Sequence, residues 1–515
     1  MATDSNKPEG PDFEQGVDAA DLKDGEMIAG RVGDEAVLLA RCGASVFAVG
    51  GTCTHYGGQL AHGILDGTTV RCPLHHAHFD LANGEALSAP ALRSLPCWNV
   101  EQQGNRLRVT TMRTAGATEN APAQAPRSIV IVGGGAAGHA AAETLRGRGY
   151  RGELTMLSAD TDPPCDRPNL SKDYLAGTAP EDWIPLRPPE FFAENRIDLV
   201  LDARVTSLDM AARRAVVEGG RTYAFDALLL ATGAEPVRLT IPGSDRAHVH
   251  YLRTLADARA IIAKLASTRR VVVVGAGFIG LEVAASLRAR GIAVDVVGSK
   301  AQPLEHALGP DLARFVRAMH EEHGVAFHIG QSVTAIERDA VVLANGERLA
   351  ADRVVVGIGV RPRVEIAERA GLAVDDGILV DEYLATSVAG IFAAGDVARW
   401  PDPRSPRPIR VEHWVVAERQ GQIAARNMMG ERIPCRFPPF FWSQHYDVQI
   451  SQVGLAQPGD HSEMKGAPQG RSFVVAFRGN GKIHAVATVG RDEECLRAEL
   501  ALERQDQDAL AAIVT

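Results

Sequence analysis

No apolar run in this chain is long enough to cross a bilayer. The best candidate, VVVVGAGFIGLEVAASL (271–287), is broken by glycines and by Glu282, and it reads as strand, turn and helix. The N-terminus, MATDSNKPEGPDFEQG, lacks the basic and apolar regions of a signal peptide. Positive charge is in deficit: the formal net charge is −10, which argues against nucleic acid and anionic membranes as partners. Cysteine is sparse and odd in number, seven residues scattered from Cys42 to Cys495. That pattern argues against a disulfide framework, and without an export signal it points to a reducing cytoplasm. Glycine is abundant, 51 residues, as suits tight strand-to-helix turns around cofactors. At 515 residues the chain is too long for a single core, and about two to four domains are expected.

Residues 21–111 read as all-β, with short β-rich runs between turn residues and a hairpin at ILDGTTVRC around Asp66-Gly67. TAGATENAPAQAPR (114–127) has no periodicity and reads as a linker. From Ser128 the texture changes to strand, glycine turn and helix, and the same pattern returns at Arg270. Two such copies predict two α/β folds with parallel sheets. Beyond Cys435, PFFWSQHYDVQISQVG and SFVVAFRGNGKIHAVATVG read as antiparallel strands and DEECLRAELALERQ as a helix, a small α+β domain.

The densest chemistry lies in CTHYGGQLAHGILDGTTVRCPLHH (53–76). Cys53-x-His55 is followed by Cys72-x-x-His75, so each loop offers one thiolate and one imidazole. A zinc finger pairs its cysteines on one loop and its histidines on another. Here each loop can send its cysteine to one metal and its histidine to a second, as a Rieske [2Fe–2S] cluster requires. The expected ligands are Cys53, His55, Cys72 and His75. The stretch resembles a Rieske ferredoxin domain of the oxygenase type. Respiratory-type members carry an extra cysteine in each loop, where this chain has Gly57 or Gly58 and His76. His76 also departs from the family's usual glycine. The rival readings are a zinc knuckle and a cluster-free Rieske fold. His62, His76 and His78 are expected on the surface or in loops, and Cys42 and Cys97 as small buried apolar residues.

Gly133, Gly135 and Gly138 follow the strand SIVIV and open a helix, so the turn and helix N-terminus can meet a pyrophosphate. Asp160, just beyond the next strand, is the candidate for the adenosine ribose. Gly275, Gly277 and Gly280 repeat the motif. The ribose acid is missing from this second copy: Gly298 stands in its place, followed by Ser299 and Lys300. That pair could accept a 2′-phosphate, which leaves NADH and NADPH both open.

Further segments appear in order: PPCDRPNLSKDYL (163–175), LLLATGAEP (228–236), GIGVRP (357–362) and GIFAAGDVA (390–398). With the two glycine turns they resemble the flavoprotein reductases with two dinucleotide domains, in the branch of ferredoxin and rubredoxin reductases and apoptosis-inducing-factor-like proteins. A Rieske domain in front resembles the apoptosis-inducing factor 3-like group. The resemblance implies FAD at the first glycine turn and at Thr232 and Gly233, and NADH or NADPH at the second. It implies Arg167 and Lys172 along the FAD, Asp396 at a ribityl hydroxyl, Glu282 paired with Lys172 on the nicotinamide side, and Trp414 beside the isoalloxazine. Lys172, Glu282 and Trp414 are the candidate catalytic residues; an ordinary ion pair and plain core packing are the alternatives for them. Disulfide reductases of this superfamily carry a CxxxxC pair, whereas here Cys165 stands alone in that region.

The implied architecture is multidomain: an all-β Rieske domain over 1–112, a linker over 113–127, an FAD-binding domain over 128–247 and 375–435, an NAD(P)H-binding domain over 248–374, and a C-terminal domain over 436–515. The expected function is electron transfer from NAD(P)H through FAD to the Rieske cluster and on to an acceptor protein, by analogy an oxygenase. In that picture the histidine-ligated iron reaches solvent and the linker lets the Rieske head swing. The rivals are a redox-responsive signalling or binding protein of apoptosis-inducing-factor type and a flavin NAD(P)H oxidase.

Overall fold

The structure, a computed structural model, describes residues 8–113 and 125–514, with the His306 side chain left aside. Most of the expected linker, 114–124, lies outside the described residues.

Residues 17–113 form two antiparallel sheets. The larger has six strands, running in order Val17–Asp18, Arg106–Arg113, Cys97–Gln103, Ser45–Gly50, Glu35–Cys42 and Met27–Val32. The smaller has four, Ile64–Asp66, Thr69–Arg71, His78–Asp80 and Ala86–Ser88. The predicted hairpin is present, with Asp66 paired to Thr69 across it. Leu38, Val49, Leu60, Val70 and Phe79 fill the space between the sheets, and Cys53 and Cys72 belong to that core.

Two five-stranded parallel sheets follow. One runs Asp198–Val200, Glu153–Leu157, Ser128–Val132, Ala227–Leu230 and Ile391–Ala393. The other runs Val249–Tyr251, Arg353–Val356, Arg270–Val274, Ala293–Gly298 and Val325–Ile329. Their central strands, SIVIV and RVVVV, are buried β-branched runs, as parallel strands covered on both faces must be. Each fold also carries a three-stranded antiparallel meander that periodicity did not reveal, Val205–Ala224 and Val333–Ala350.

The two glycine turns are built alike. A Cβ on Gly133 would stand 2.0 Å from the Ala231 carbonyl oxygen, and one on Gly275 would stand 2.1 Å from that of Gly357. Only glycine lets each turn press against the neighbouring strand end. The helices Ala136–Gly147 and Phe278–Ala289 start directly after these turns. Helix Trp414–Met428 packs on the first of them, and a Cβ on Gly421 would meet the Ala137 carbonyl oxygen at 2.2 Å. That close approach brings Trp414 and Arg419 to the middle of the molecule.

The C-terminal part is a five-stranded antiparallel sheet, ordered Phe440–His445, Val448–Gly454, Lys482–Val489, Ser472–Gly479 and His461–Ala467. The helix Asp492–Arg504 covers one face and buries Cys495, Leu496, Ala498 and Leu502.

Candidate functional site

The two cysteine–histidine loops share one backbone design. The Cys53 N–H donates to the Gly58 carbonyl and the Gly57 N–H to the Cys53 carbonyl, while Cys72 pairs in the same way with Ala77 and His76. Gly57 and His76 therefore occupy equivalent places, and both have positive φ, 70° and 58°. Glycine adopts that conformation freely, whereas a histidine there costs about 1 kcal/mol. The two thiols lie side by side, with backbone N–H groups of His55 and Tyr56 aimed at Cys53 and those of Leu74 and His75 aimed at Cys72. The His55 and His75 rings meet edge to face at 5.0 Å. Burial, with the Arg187 charge second, lowers the His55 pKa to about 4, and burial first drives His75 well below the ordinary imidazole range. Neutral imidazoles are the metal-ligating form. Two sulfurs on one side, each receiving amide hydrogens, and two neutral imidazoles on the other fit a Rieske cluster in donor type and arrangement.

The expectation that the imidazoles open to solvent is overturned. His75 is buried and His55 half-buried, and both face the reductase. The His75 ring lies 4.4 Å from that of Trp442, and Tyr56, stacked on His55, donates to the Asp166 carboxylate. His76 corrects a second expectation. It is 1% exposed, stacks on Phe440 at 4.0 Å and places Nδ1 3.0 Å from Glu499 Oε2. Glu499 Oε1 accepts from Arg419 Nη1 at 2.7 Å. The same guanidinium donates to the carbonyls of His76 at 2.7 Å and Ala89 at 3.1 Å. Around this buried centre run Arg71–Glu503 and Arg504–Asp66. Burial pushes the Glu499 pKa up, but Arg419 and His76 outweigh it and hold the carboxyl well below its usual range. The Rieske domain is thus docked through a buried polar seam centred on Arg419 and Glu499. The strain at His76 is offset by the partners its ring gains there. His78 is half-buried, His62 exposed, Cys97 buried and Cys42 half-buried.

Three cavities cover the remaining expected residues except Gly138 and Gly280. One of about 300 Å³ is lined by Gly133, Gly135, Asp160, Arg167 and Thr232. Arg167 and Asp160 are paired at 2.7 Å. A second, about 200 Å³, shares Gly135 and Arg167 with it and adds Lys172, Gly233, Glu282, Asp396 and Trp414. Together they form a trough with the glycine turn and cations at one end and aromatic walls at the other. The Lys172 Nζ–Glu282 pair, 2.8 Å apart, is only 12% and 4% exposed, so it is no ordinary surface bridge. Asp396 is held by Arg253 at 2.8 Å. The third cavity, about 600 Å³, lies against Gly275, Gly277, Ser299 and Lys300, and Phe278 borders both it and the second. Gly138 and Gly280 line none of them. Each packs its helix against the first glycine of its own turn, where a Cβ would meet that carbonyl oxygen at 1.9 Å and 2.0 Å. The trough fits a flavin dinucleotide in shape and lining, and the third cavity fits a nicotinamide dinucleotide.

Sequence reading missed Trp442, Arg419 and Glu499. Trp442 lines the second cavity and also a cavity of about 150 Å³ bounded by His55 and Trp414. The run PPFFW was the one available signal for it. Nothing in a helical AERQ or AELALE singles out the charged pair.

Fold and site define a nicotinamide-dependent flavoprotein reductase carrying its own Rieske [2Fe–2S] domain. The Rieske [2Fe-2S] domain family matches residues 16–99, and the reductase C-terminal family matches 440–514. The pyridine nucleotide-disulphide oxidoreductase family matches residues 127–421, and the chain belongs to that family. It is 32% identical to apoptosis-inducing factor 3 of Homo sapiens, over 92% of this chain and 81% of that protein. It is 38% identical to rhodocoxin reductase of Rhodococcus erythropolis, over 73% of this chain and 90% of that one. A solved structure of the covalent putidaredoxin reductase–putidaredoxin complex matches with a TM-score of 0.73 at 32% identity, covering 76% of this chain and 96% of that one. The protein is an NAD(P)H-dependent flavoprotein oxidoreductase that passes electrons through FAD and a Rieske cluster to an acceptor. Among the described residues no helix is long and apolar enough to cross a membrane.

Proposed function

We propose that electron transfer from nicotinamide to cluster is completed inside this one chain, and that an oxygenase-type protein receives the electrons. The observation that carries the reading is the position of Trp442, which borders the Lys172–Asp396 cavity and stands 4.4 Å from the ring of His75. Bound FAD supplies the conversion of a two-electron donor into one-electron steps. The chain's own residues do the rest. The first glycine turn and Arg167 hold the dinucleotide phosphates. Asp160 takes the adenosine ribose, Thr232 and Gly233 bound the trough, and Asp396 accepts from the ribityl chain. Lys172, fixed by Glu282, provides positive charge where negative charge builds on reduction. Trp414 closes the trough beside the isoalloxazine place. Gly275, Gly277 and Gly280 shape the nicotinamide site, and Ser299 and Lys300 favour a 2′-phosphate. Cys53, His55, Cys72 and His75 hold the cluster.

The working division keeps a Rieske unit to residue 112, the flavin and nicotinamide units between 128 and 435, and the C-terminal unit beyond. An oxygenase partner is supported by the names of the relatives, which include an anthranilate 1,2-dioxygenase system reductase component. A cytoplasmic setting is supported by seven cysteines with no disulfide among them.

The test is anaerobic addition of NADH, and separately NADPH, with visible absorbance and low-temperature EPR. A bleached flavin together with a Rieske-type signal is the expected result, and the faster nucleotide identifies the donor. A bleached flavin with no such signal, in protein shown to hold iron, overturns internal transfer and favours the flavin oxidase.

A further inference from the structure

Electrons that reach the cluster must leave it, and the docked Rieske domain restricts where. Of the four proposed ligands, Cys53, Cys72 and His75 are buried, and only His55 keeps part of its surface open. His75 faces Trp442, the side chain that also borders the flavin cavity. His55 faces Tyr56 as well, with the two rings stacked at 4.1 Å. Tyr56 is 53% exposed. Its hydroxyl is tied to the buried carboxylate of Asp166, which also caps the short helix Arg167–Leu170. The tyrosine ring is thereby held against His55 while the residue remains open to solvent.

The cavity of about 150 Å³ beside His55 lies at the junction of the Rieske domain and the reductase. Tyr56, Leu92 and Arg93 line it from the Rieske side, and Trp183, Pro185 and Leu186 from the reductase side. Trp183 is 70% exposed, more than any other large apolar side chain among the described residues. It ends the 3₁₀ turn Glu181–Trp183, and Ile184 directly after it is fully buried, so the indole stands on an anchored base. Exposed Arg93 lies on the rim, and exposed Glu181 and Asp182 precede Trp183, so charges of both signs surround the site. Two exposed aromatic residues at one concave, largely apolar place mark a contact surface rather than ordinary surface scatter. Tyrosine and tryptophan are also the residue types that anchor protein contacts. The site continues the seam through which the Rieske domain docks, because both domains line it.

We propose that a one-electron carrier protein docks here, with an apolar patch of its own seated on Trp183 and Tyr56, and takes the electron from the cluster through His55 and Tyr56. The inference rests on the electron-transfer reading above. His75 is then the histidine of entry and His55 the histidine of exit. Each transfer moves one electron. The reduced cluster returns to its oxidised state, the centre of the carrier is reduced, and no bond or proton changes place. Two transfers discharge the electron pair that one hydride brings. With both signs of charge at the rim, the apolar contact rather than net charge selects the partner.

The test uses the full chain with its cofactors. NADH-reduced protein is mixed with an oxidised carrier, and decay of the Rieske EPR signal is followed by rapid freezing. Basic cytochrome c and acidic plastocyanin serve as carriers, and ferricyanide as the small acceptor. Below saturation, Trp183→Ala should slow the decay about tenfold or more with each protein that the wild type reduces. Ferricyanide should act at the wild-type rate, and NADH bleaching should be unchanged. Trp183→Arg, which sets a charge in the apolar contact, should slow the decay further, and neither change touches the core. Met112→Ala, at an exposed side chain that does not line the cavity, should leave every rate as it was. Wild-type decay in both Trp183 variants overturns the docking site. So does equal slowing with ferricyanide, or a wild-type cluster that reduces ferricyanide but neither protein. Absence of the Rieske signal in NADH-treated wild type overturns the electron-transfer reading itself, and the exit falls with it.

Discussion

The ring of His75 stands 4.4 Å from the ring of Trp442, and that indole also walls the cavity that holds Lys172 and Asp396. One side chain thus borders the cavity proposed for the flavin and touches a histidine proposed as a cluster ligand. The Rieske domain is held in place for this by buried groups of the other domains, chiefly Arg419 and Glu499.

Replacing Trp442 with Leu should leave flavin bleaching by NADH near its original rate. Appearance of the Rieske EPR signal after bleaching should slow by about an order of magnitude, because the bridge between the two centres is lost. Rapid-freeze EPR beside stopped-flow absorbance separates the two steps. Equal slowing of both would show that Trp442 serves nucleotide binding instead.

Arg419→Met removes the cation while keeping much of the apolar stem. Glu499 is then buried with reduced compensation, a loss of about 3–5 kcal/mol in settings of this kind. The Rieske domain should detach, so the radius of gyration from X-ray scattering should rise and the denaturant midpoint should fall. An unchanged radius would show that the outer pairs, Arg71–Glu503 and Arg504–Asp66, suffice to hold the domain.

Glu418 sets a pH dependence. Burial first, with the Asp166 charge second, raises its pKa well above the ordinary 4.5, and its Oε2 has no hydrogen-bond partner among the described residues. The folded state therefore holds this proton more tightly than the unfolded state. Its contribution is complete below the unfolded pKa and is lost as pH rises toward the folded pKa. Glu418→Gln never ionises. Its melting temperature relative to wild type should climb from pH 5 to pH 8, and a gap independent of pH would contradict this origin.

Lys300 and Ser299 are exposed beside the second glycine turn. Lys300→Glu should lower the NADPH-to-NADH ratio of kcat/KM by about tenfold, through repulsion of a 2′-phosphate. A ratio that does not move would place the 2′-position away from this residue.

Local rules made much of this molecule legible. Each glycine turn was readable because only glycine fits where a Cβ would strike a neighbouring carbonyl. SIVIV and RVVVV declared buried parallel strands through unbroken β-branched runs. The proposed cluster ligands stood out because two short loops carry all four donors at fixed spacing. The antiparallel meanders were missed because short strands with mixed faces have no clear period.

The sequence by itself determined which cofactors this protein can hold, since each is announced by a short motif of residues close together along the chain and by the backbone shape that motif allows. Only the tertiary structure decided where the Rieske domain sits and which way its histidines face. His76 and Glu499 are 423 positions apart, and Ser443 and Glu282 are 161 apart. No periodicity links residues so distant. They meet because helix and sheet packing brings their elements together, and because each buried charge or hydroxyl in such a seam must find a partner there.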